Sequence, residues 1–506
     1  MRFIYVLGGK TSHGYERLLF SHWDVRRAHY VVVTEIRALS MGNFRSQHVC
    51  AAVSLLEFRA LSDLHSPPAF ILYPPPQECF TGFKLSTLTG DQQYIKASAK
   101  YFAVALFGGG GPIMVGRHDR PGRYEAGTSS VVQGHKGAVL DFDFNPFDDA
   151  MFASASEDTT IKIWSIPDEW EPTDEKGLAK KGEPLEESLV DLVGHRKKVT
   201  LVRFHPTASN VLGSCSSDYS VKVWDIEKGE EISSFGEMGD LAHDIIWDVN
   251  GDQMATSCKD KIVRFMDPRA GTVSSTIATP HEGVKSVKLS YMGDSGKFLT
   301  VGASRQAARE VKIWDLKNLS EPLTSETIDT ASGVLVPFYD NDTGVLYLSG
   351  KGDGIVRPYE FEDKKPYLHR LNDGFRSTAP AKGVCMVPKR GLDVMSCETT
   401  RLLKLTNNQG VHPLRFIVPR KSDAFQDDIF PDCVSATPSH TADEWAAGSS
   451  KAPVTMSLDP RQRKDDIGGS KKKFRTVGTL SKELDEAQNR IAYLEKKLKD
   501  AGISAD

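Results

Sequence analysis

Two sets of residues in this chain have the makings of a nucleophilic centre. His135, Asp158 and a serine (Ser154 or Ser156) form one; His195, Asp218 and Ser214 or Ser216 form the other. A histidine oriented by a carboxylate and facing a hydroxyl is the arrangement that deprotonates a serine. The spacing points elsewhere. His135 to Asp158 is 23 residues and Asp158 to Trp164 is 6, and His195, Asp218 and Trp224 repeat both intervals. A catalytic set needs one exposed nucleophile and an oxyanion site. A set that recurs at fixed spacing belongs to a repeated unit that cannot bury its apolar face alone.

The elements around these residues say what the unit is. Val139-Leu140-Asp141-Phe142 and Ile161-Lys162-Ile163-Trp164 alternate as half-buried strands do. Glu157-Asp158 and Ser217-Asp218 fall where a tight turn is needed, and aspartate hydrogen-bonds its own backbone there. A Gly-His start and a Trp-Asp close mark a β-propeller blade. In WD-repeat proteins the histidine, turn aspartate, strand serine and tryptophan form one buried network, and such a network rigidifies a core when every partner is present. Weaker copies follow: Asp260 with Met266-Asp267, a segment from Pro280-His281 to Trp314-Asp315, Asp353 with Tyr359, and Glu398 before RLLKL. Upstream, strands between Tyr94 and Val115 flank Gly108-Gly109-Gly110-Gly111, which lacks the following Lys-Ser/Thr of a phosphate loop and suits a hairpin turn. The segments predict an all-β, seven-bladed propeller.

The chain has 506 residues and a formal net charge of −4, which gives no bulk attraction to nucleic acid. Its 7 cysteines show no CxxC spacing, so neither a metal centre nor a cofactor is expected. No run of about 18 apolar residues is present. No cluster of convergent carboxylates or nucleophile motif suggests an enzyme.

After Pro460 the composition changes. Residues 461–476 read as a basic linker, and a helix is expected beyond it. Val477, Leu484, Ile491 and Leu498 fall at heptad position a; Leu480, Ala487, Leu494 and Ala501 fall at d. Short isolated helices are marginal in water, so this one is expected to be stable as an oligomer. Arg490 at g can meet Glu495 at e of a neighbour, and Arg490 to Glu495 resembles the hexad of short parallel trimers; alanines at d thin the core. A trimer is expected ahead of a dimer or tetramer. The alternative is an amphipathic helix docked on the propeller.

A propeller with a linker and short coiled coil resembles the coronin family. GHRKKVTLVRFHPTASNVL (194–212), DTASGVLVPFYDNDTGVLYLSGKGDG (329–354), VPKRGLDV (387–394) and VPRKSDAFQDDIFPD (418–432) carry the likeness, continued by Glu444-Trp445 and 453–458. The resemblance implies that 78–417 is the propeller and that 418–460 is an extension packed on its lower face. It implies binding to filamentous actin, cross-linking through self-association, and further partners in the branched-actin nucleating complex and cofilin, at the cytoplasmic actin cytoskeleton and cell cortex. A generic WD-repeat scaffold without an actin role is the alternative.

The family's basic lead suggests Lys84 in Phe83-Lys84-Leu85-Ser86, although its next basic position is Thr87 here. Lys96, Lys100, Arg117, Arg120 and Arg123 lie nearby in sequence, and Arg45 sits in a family-like Phe44-Arg45-Ser46-Gln47-His48-Val49. Lys471, Lys472, Lys473 and Arg475, with Lys496, Lys497 and Lys499, make a second cluster. Residues 461–506 carry 12 Lys+Arg against 8 Asp+Glu, which suits a second actin contact or an anionic-membrane contact. Residues 1–40 are expected to be a non-family, disordered or non-native extension. Residues 50–76 look like an insertion in the lead, from a retained intron or a lineage-specific loop.

Overall fold

The computed structural model describes residues 78–462, apart from 125–129, 168–183, 237, 372–373, 408–409 and 423, with short pieces at 8–11, 14–17, 70–72, 476, 484 and 487–491. The chain divides into two compact units, residues 1–65 and 66–506. In the first, Gly8–Thr11 and Gly14–Arg17 pair as antiparallel strands, inside the stretch expected to be disordered or not native.

The second unit is a seven-bladed β-propeller. Blade one is built from Ile95–Ala97, Tyr101–Ala105, Ile113–Arg117 and Ser130–Val132. Blades two to six follow in chain order, their innermost strands being Val139–Phe144, Val199–Phe204, Ala242–Trp247, Lys288–Tyr291 and Leu335–Asp340. Blade seven joins both ends of the ring. Ala381–Met386, Glu398–Thr406 and Gly410–Ile417 supply its inner strands, and Phe80–Thr81 of the lead supplies the outer one through Phe80 opposite Val411. Phe70–Leu72, within the stretch read as an insertion, also pairs on that strand, Phe70 opposite Ile417. A short β-prone run has met an open strand edge.

The repeated residues converge as one buried relay in each well-kept blade. His135 Nδ1 lies 2.9 Å from Asp158 Oδ2, His135 Nε2 lies 2.7 Å from Ser154 Oγ, and Trp164 Nε1 donates to the same hydroxyl at 2.8 Å. His195, Asp218, Ser214 and Trp224 repeat it at 3.2, 2.8 and 2.8 Å. Ser156 and Ser216 instead accept the backbone N–H of Asp158 and Asp218. The Ser154 residue is 0% exposed, so its hydroxyl is spent on the core and meets no substrate.

The weaker blades depart in physically different ways. In blade five His281 pairs with Glu310 at 2.8 Å, and Thr300 takes the serine's place between His281 and Trp314, both at 2.9 Å. In blade four Met266 stands opposite Met254 as Trp164 stands opposite Phe152, and buried Met238 occupies the histidine position. Asp260 therefore has no histidine there; it accepts from Ile262 N at 3.0 Å and from Arg264 Nη2 at 2.6 Å. Asp353 of blade six likewise lacks a histidine and is held by Arg309 of blade five at 2.8 Å.

Side chains also fasten blade to blade. Asp141 and Asp143 accept from Val202 N and Phe204 N of blade three at 3.3 and 3.0 Å, and Asp244 of blade four accepts from Leu289 N of blade five at 3.1 Å. Neighbouring innermost strands diverge, and these carboxylates satisfy backbone donors that no ladder reaches.

The stretch after Ile417 crosses the lower face. Ile429, Phe430, Cys433 and Leu458 pack with Val394 and Cys397 of the blade-seven turn. Farther on, Thr441 caps the short helix Ala442–Ala446 in a capping box with Glu444. That helix sets Trp445, 0% exposed, against Trp247 and His205, with ring centroids 6.1 and 4.9 Å apart. Arg269 locks it: Nε donates to Trp445 O at 2.7 Å, Nη2 to Ser449 O at 2.7 Å and to Asp252 at 2.8 Å.

Ser154→Ala removes the hydroxyl that donates to His135 Nε2 and accepts from Trp164 Nε1–H, so a loss of about 2–4 kcal/mol is expected in urea denaturation; an unchanged midpoint would show that the relay contributes nothing. Burial lowers the imidazole pKa of His205 to about 3 and of His118 to about 4. Both are neutral when folded and protonate near pH 6.5 when unfolded, so the stability they add is present above that pH and lost as pH falls toward those values. Stability measured between pH 7 and pH 4 should decline, and His205→Gln should make the decline shallower.

Candidate functional site

The strand directions sort the candidate cations onto different faces. Each innermost strand runs toward the lower face, where the turns at 145–150 and 205–210 lie and where Trp445 docks. The relay loops with His135, Asp158, His195 and Asp218 therefore lie at the upper face.

Lys100 is exposed in the lower turn of blade one, and its carbonyl accepts from His118 N at 3.2 Å. Arg117 lies beside it and is neutralised by a two-pronged pair with Asp119, at 2.9 and 2.7 Å. Arg120 is exposed in the same lower turn. Lys96 faces the central axis and pairs with Asp143 at 3.4 Å; the innermost strand directs it inward, so it belongs to no surface patch. Arg123 lies on the rim, opposite Thr81 of the lead. Lys84 stands over the Phe107 ring, 4.3 Å from its centroid, at the upper turn of blade one. The candidates therefore divide among the lower face, the axis, the rim and the upper face.

The upper face gathers cations for which the sequence alone gave no grouping. Lys136, Arg196, Lys197, Lys198, Lys259 and Arg305 are exposed in its loops, against exposed Glu157 and Glu282. They join Lys84 only when the ring closes, because they come from successive blades. The turn aspartates of this face do not offset them outwardly. Asp158 and Asp218 are turned in to their histidines and neighbouring N–H groups, which hold both carboxyls below the usual range, Asp218 at about 2. Among the cations stand Phe107, Tyr219 and Val284, exposed by 50%, 40% and 92%. Lys197 lies 5.7 Å from the Tyr219 ring centroid. Exposed apolar anchors amid cations with few competing anions can hold an acidic macromolecular surface.

A compact ion cluster braces this face between blades five and six. Arg309, buried, donates to both oxygens of Asp329 at 2.6 Å and to Asp353 at 2.8 Å, while Arg357 approaches Asp329 to 2.5 Å. The spacing predicts Asp353 as a member of a blade relay, whereas Arg309, next to Glu310 in a strand, carries no sequence signal of a partner in another blade.

In the C-terminal stretch Leu484, Ala487, Arg490 and Ile491 are helical and exposed. Leu484 and Ile491 are 58% and 54% exposed and share the seam face with Ala487. Val477, Leu480, Leu494, Leu498, Glu495, Lys471, Lys472, Lys473, Arg475, Lys496, Lys497, Lys499 and Arg45 lie outside the described residues. Among the described residues no group of His, Cys, Asp and Glu is arranged to hold a metal ion.

A model described as WD domain, G-beta repeat matches residues 128–165 and 186–225, which are blades two and three. A type of WD40 repeat matches 411–453, which here forms the last blade strand and the lower-face stretch rather than another blade. A domain of unknown function (DUF1899) matches 72–123. Coronin-2A of Homo sapiens is 40% identical over 391 residues, covering 76% of this chain and 72% of the relative. Coronin-A of Dictyostelium discoideum is 38% identical over 454 residues, covering 86% and 96%. The crystal structure of the WD40 domain from Toxoplasma gondii coronin superposes with a TM-score of 0.72 at 32% identity, covering 78% of this chain and 98% of that one.

Replacing Arg309 by Met should cost about 3–5 kcal/mol, because Asp329 and Asp353 lose their buried cation. Thermal unfolding checks this; a loss no larger than that of an exposed lysine variant would show that the cluster does not brace the face.

Proposed function

Since the chain belongs to the coronin family, we propose that it binds filamentous actin with the upper face of its propeller and cross-links filaments by self-associating through its C-terminal helix. The observation that carries this reading is the set of exposed cations around Phe107, Tyr219 and Val284 on the upper face, opposite the one the C-terminal stretch crosses. An acidic filament surface is complementary to it. Lys84, Lys197 and Lys198 are the residues assigned to the contact; Lys96 is not.

The exposed Leu484 and Ile491 supply the second half of the reading, because an apolar helix face this open is buried by another copy. A trimer through Arg490 and Glu495 is the preferred state. Joining several weak contacts raises overall affinity without a new interface. The basic residues from Lys471 to Arg475 add a second filament contact or an anionic-membrane contact, with the branched-actin nucleating complex and cofilin as further partners. The site of action is the cytoplasmic actin cytoskeleton and cell cortex.

Co-sedimentation with filamentous actin tests the reading. The full chain should pellet with filaments at high speed, and Lys84→Glu/Lys197→Glu/Lys198→Glu should weaken binding about tenfold or more. A chain ending at Pro460 should still bind yet lose low-speed pelleting of cross-linked filaments. A full chain that stays in the supernatant at low salt contradicts the reading.

A further inference from the structure

The lead from Gly82 to Tyr94 runs over the upper face toward the axis, and an open cleft lies between it and blades six and seven. Lys351, Lys382, Tyr94, Thr87, Thr89 and Asn407 are among its walls. Lys351 Nζ and Lys382 Nζ both stand over the Tyr94 ring, 4.8 and 5.3 Å from its centroid. Lys351 donates to Gly90 O at 2.6 Å and to Gln92 O, and Lys382 donates to Ser86 O. An ammonium has three N–H donors, so each lysine keeps donor capacity beyond these bonds.

Neither lysine forms an ion pair with a described carboxylate. Asp91, the carboxylate that acts on Lys351 from a distance, accepts from Ser286 Oγ. Two cations thus meet one aromatic ring, with neutral carbonyls as their hydrogen-bond partners. Burial lowers the Lys351 pKa to about 8 and lowers that of Lys382 as well. Such a pair is costly unless an anion shares the site. The walls add the hydroxyls of Thr87 and Thr89 and the amide of Asn407, donors that suit a compact oxyanion with several acceptor oxygens.

We propose that this cleft is a phosphate-binding site, taking a phosphate group between Lys351 and Lys382. The inference goes beyond filament binding and does not rest on it, since its test contains no actin.

Calorimetry and thermal unfolding of the full chain at pH 7 would use sodium phosphate against sodium chloride of equal ionic strength. Phosphate should stabilise the chain saturably and beyond the chloride control. Lys351→Gln and Lys382→Gln should each weaken binding about tenfold or more, and Lys317→Gln, away from the cleft, should not. Lys382→Gln keeps the test decisive should loss of Lys351 unfasten the lead. Vesicles carrying a phosphorylated inositol lipid separate free phosphate from a headgroup. Vesicle binding that Lys382→Gln weakens and free phosphate displaces supports the same cleft with a lipid source. Phosphate no better than chloride and no vesicle binding through Lys382, or binding unchanged in both lysine variants, overturns the proposal.

Discussion

The relay of histidine, acid, hydroxyl and tryptophan is the constraint on which the rest of this molecule depends. It ties the loop entering a blade to that blade's second and third strands, so one hydroxyl fixes both the strand register and the loop above it. Its cost in desolvation is offset only because each donor finds an acceptor. A second consequence concerns charge. Asp158 and Asp218 would oppose an acidic partner if they faced solvent, but the relay turns them inward. The same bonds that hold the blades therefore let the cations of the upper loops dominate the exposed face.

The two faces differ in what covers them. Below, the stretch after Ile417 spends its apolar residues on the propeller, with Trp445 between blades three and four and Phe430 against blade seven. A chain that reaches both sides of a ring resists its opening where the two ends meet, at Phe80 opposite Val411 and Phe70 opposite Ile417. Above, Phe107, Tyr219 and Val284 remain uncovered among lysines and arginines.

How much of this was legible in the sequence follows from which interactions are local. Blades two and three could be read because their relay residues recur at constant offsets. Blade five was half visible: Glu310 reaches His281 from within a strand, four residues before Trp314 instead of six, and Thr300 stands for serine. Blade four kept its turn aspartate but replaced both polar partners with methionine, so Asp260 resembled a relay member that it is not. The coronin-like segments carried the family, and the comparisons agree. Contacts between blades could not be read: Lys96 with Asp143, Arg309 with Asp353, and Lys351 against the lead join residues whose proximity exists only once the ring has closed. The basic candidates were grouped by position in the chain, whereas strand reversal sends residues a few positions apart to opposite faces.

On the proposed reading the upper face meets the filament while the lower face keeps its own C-terminal stretch. An electron cryo-microscopy reconstruction of actin filaments decorated with this chain tests it most directly. Density for the loops bearing Lys84, Lys197, Lys198 and Tyr219 is expected against the filament, with the Trp445 stretch turned away. A filament seated on the lower face, or on the outer strands with the upper loops facing solvent, would contradict it.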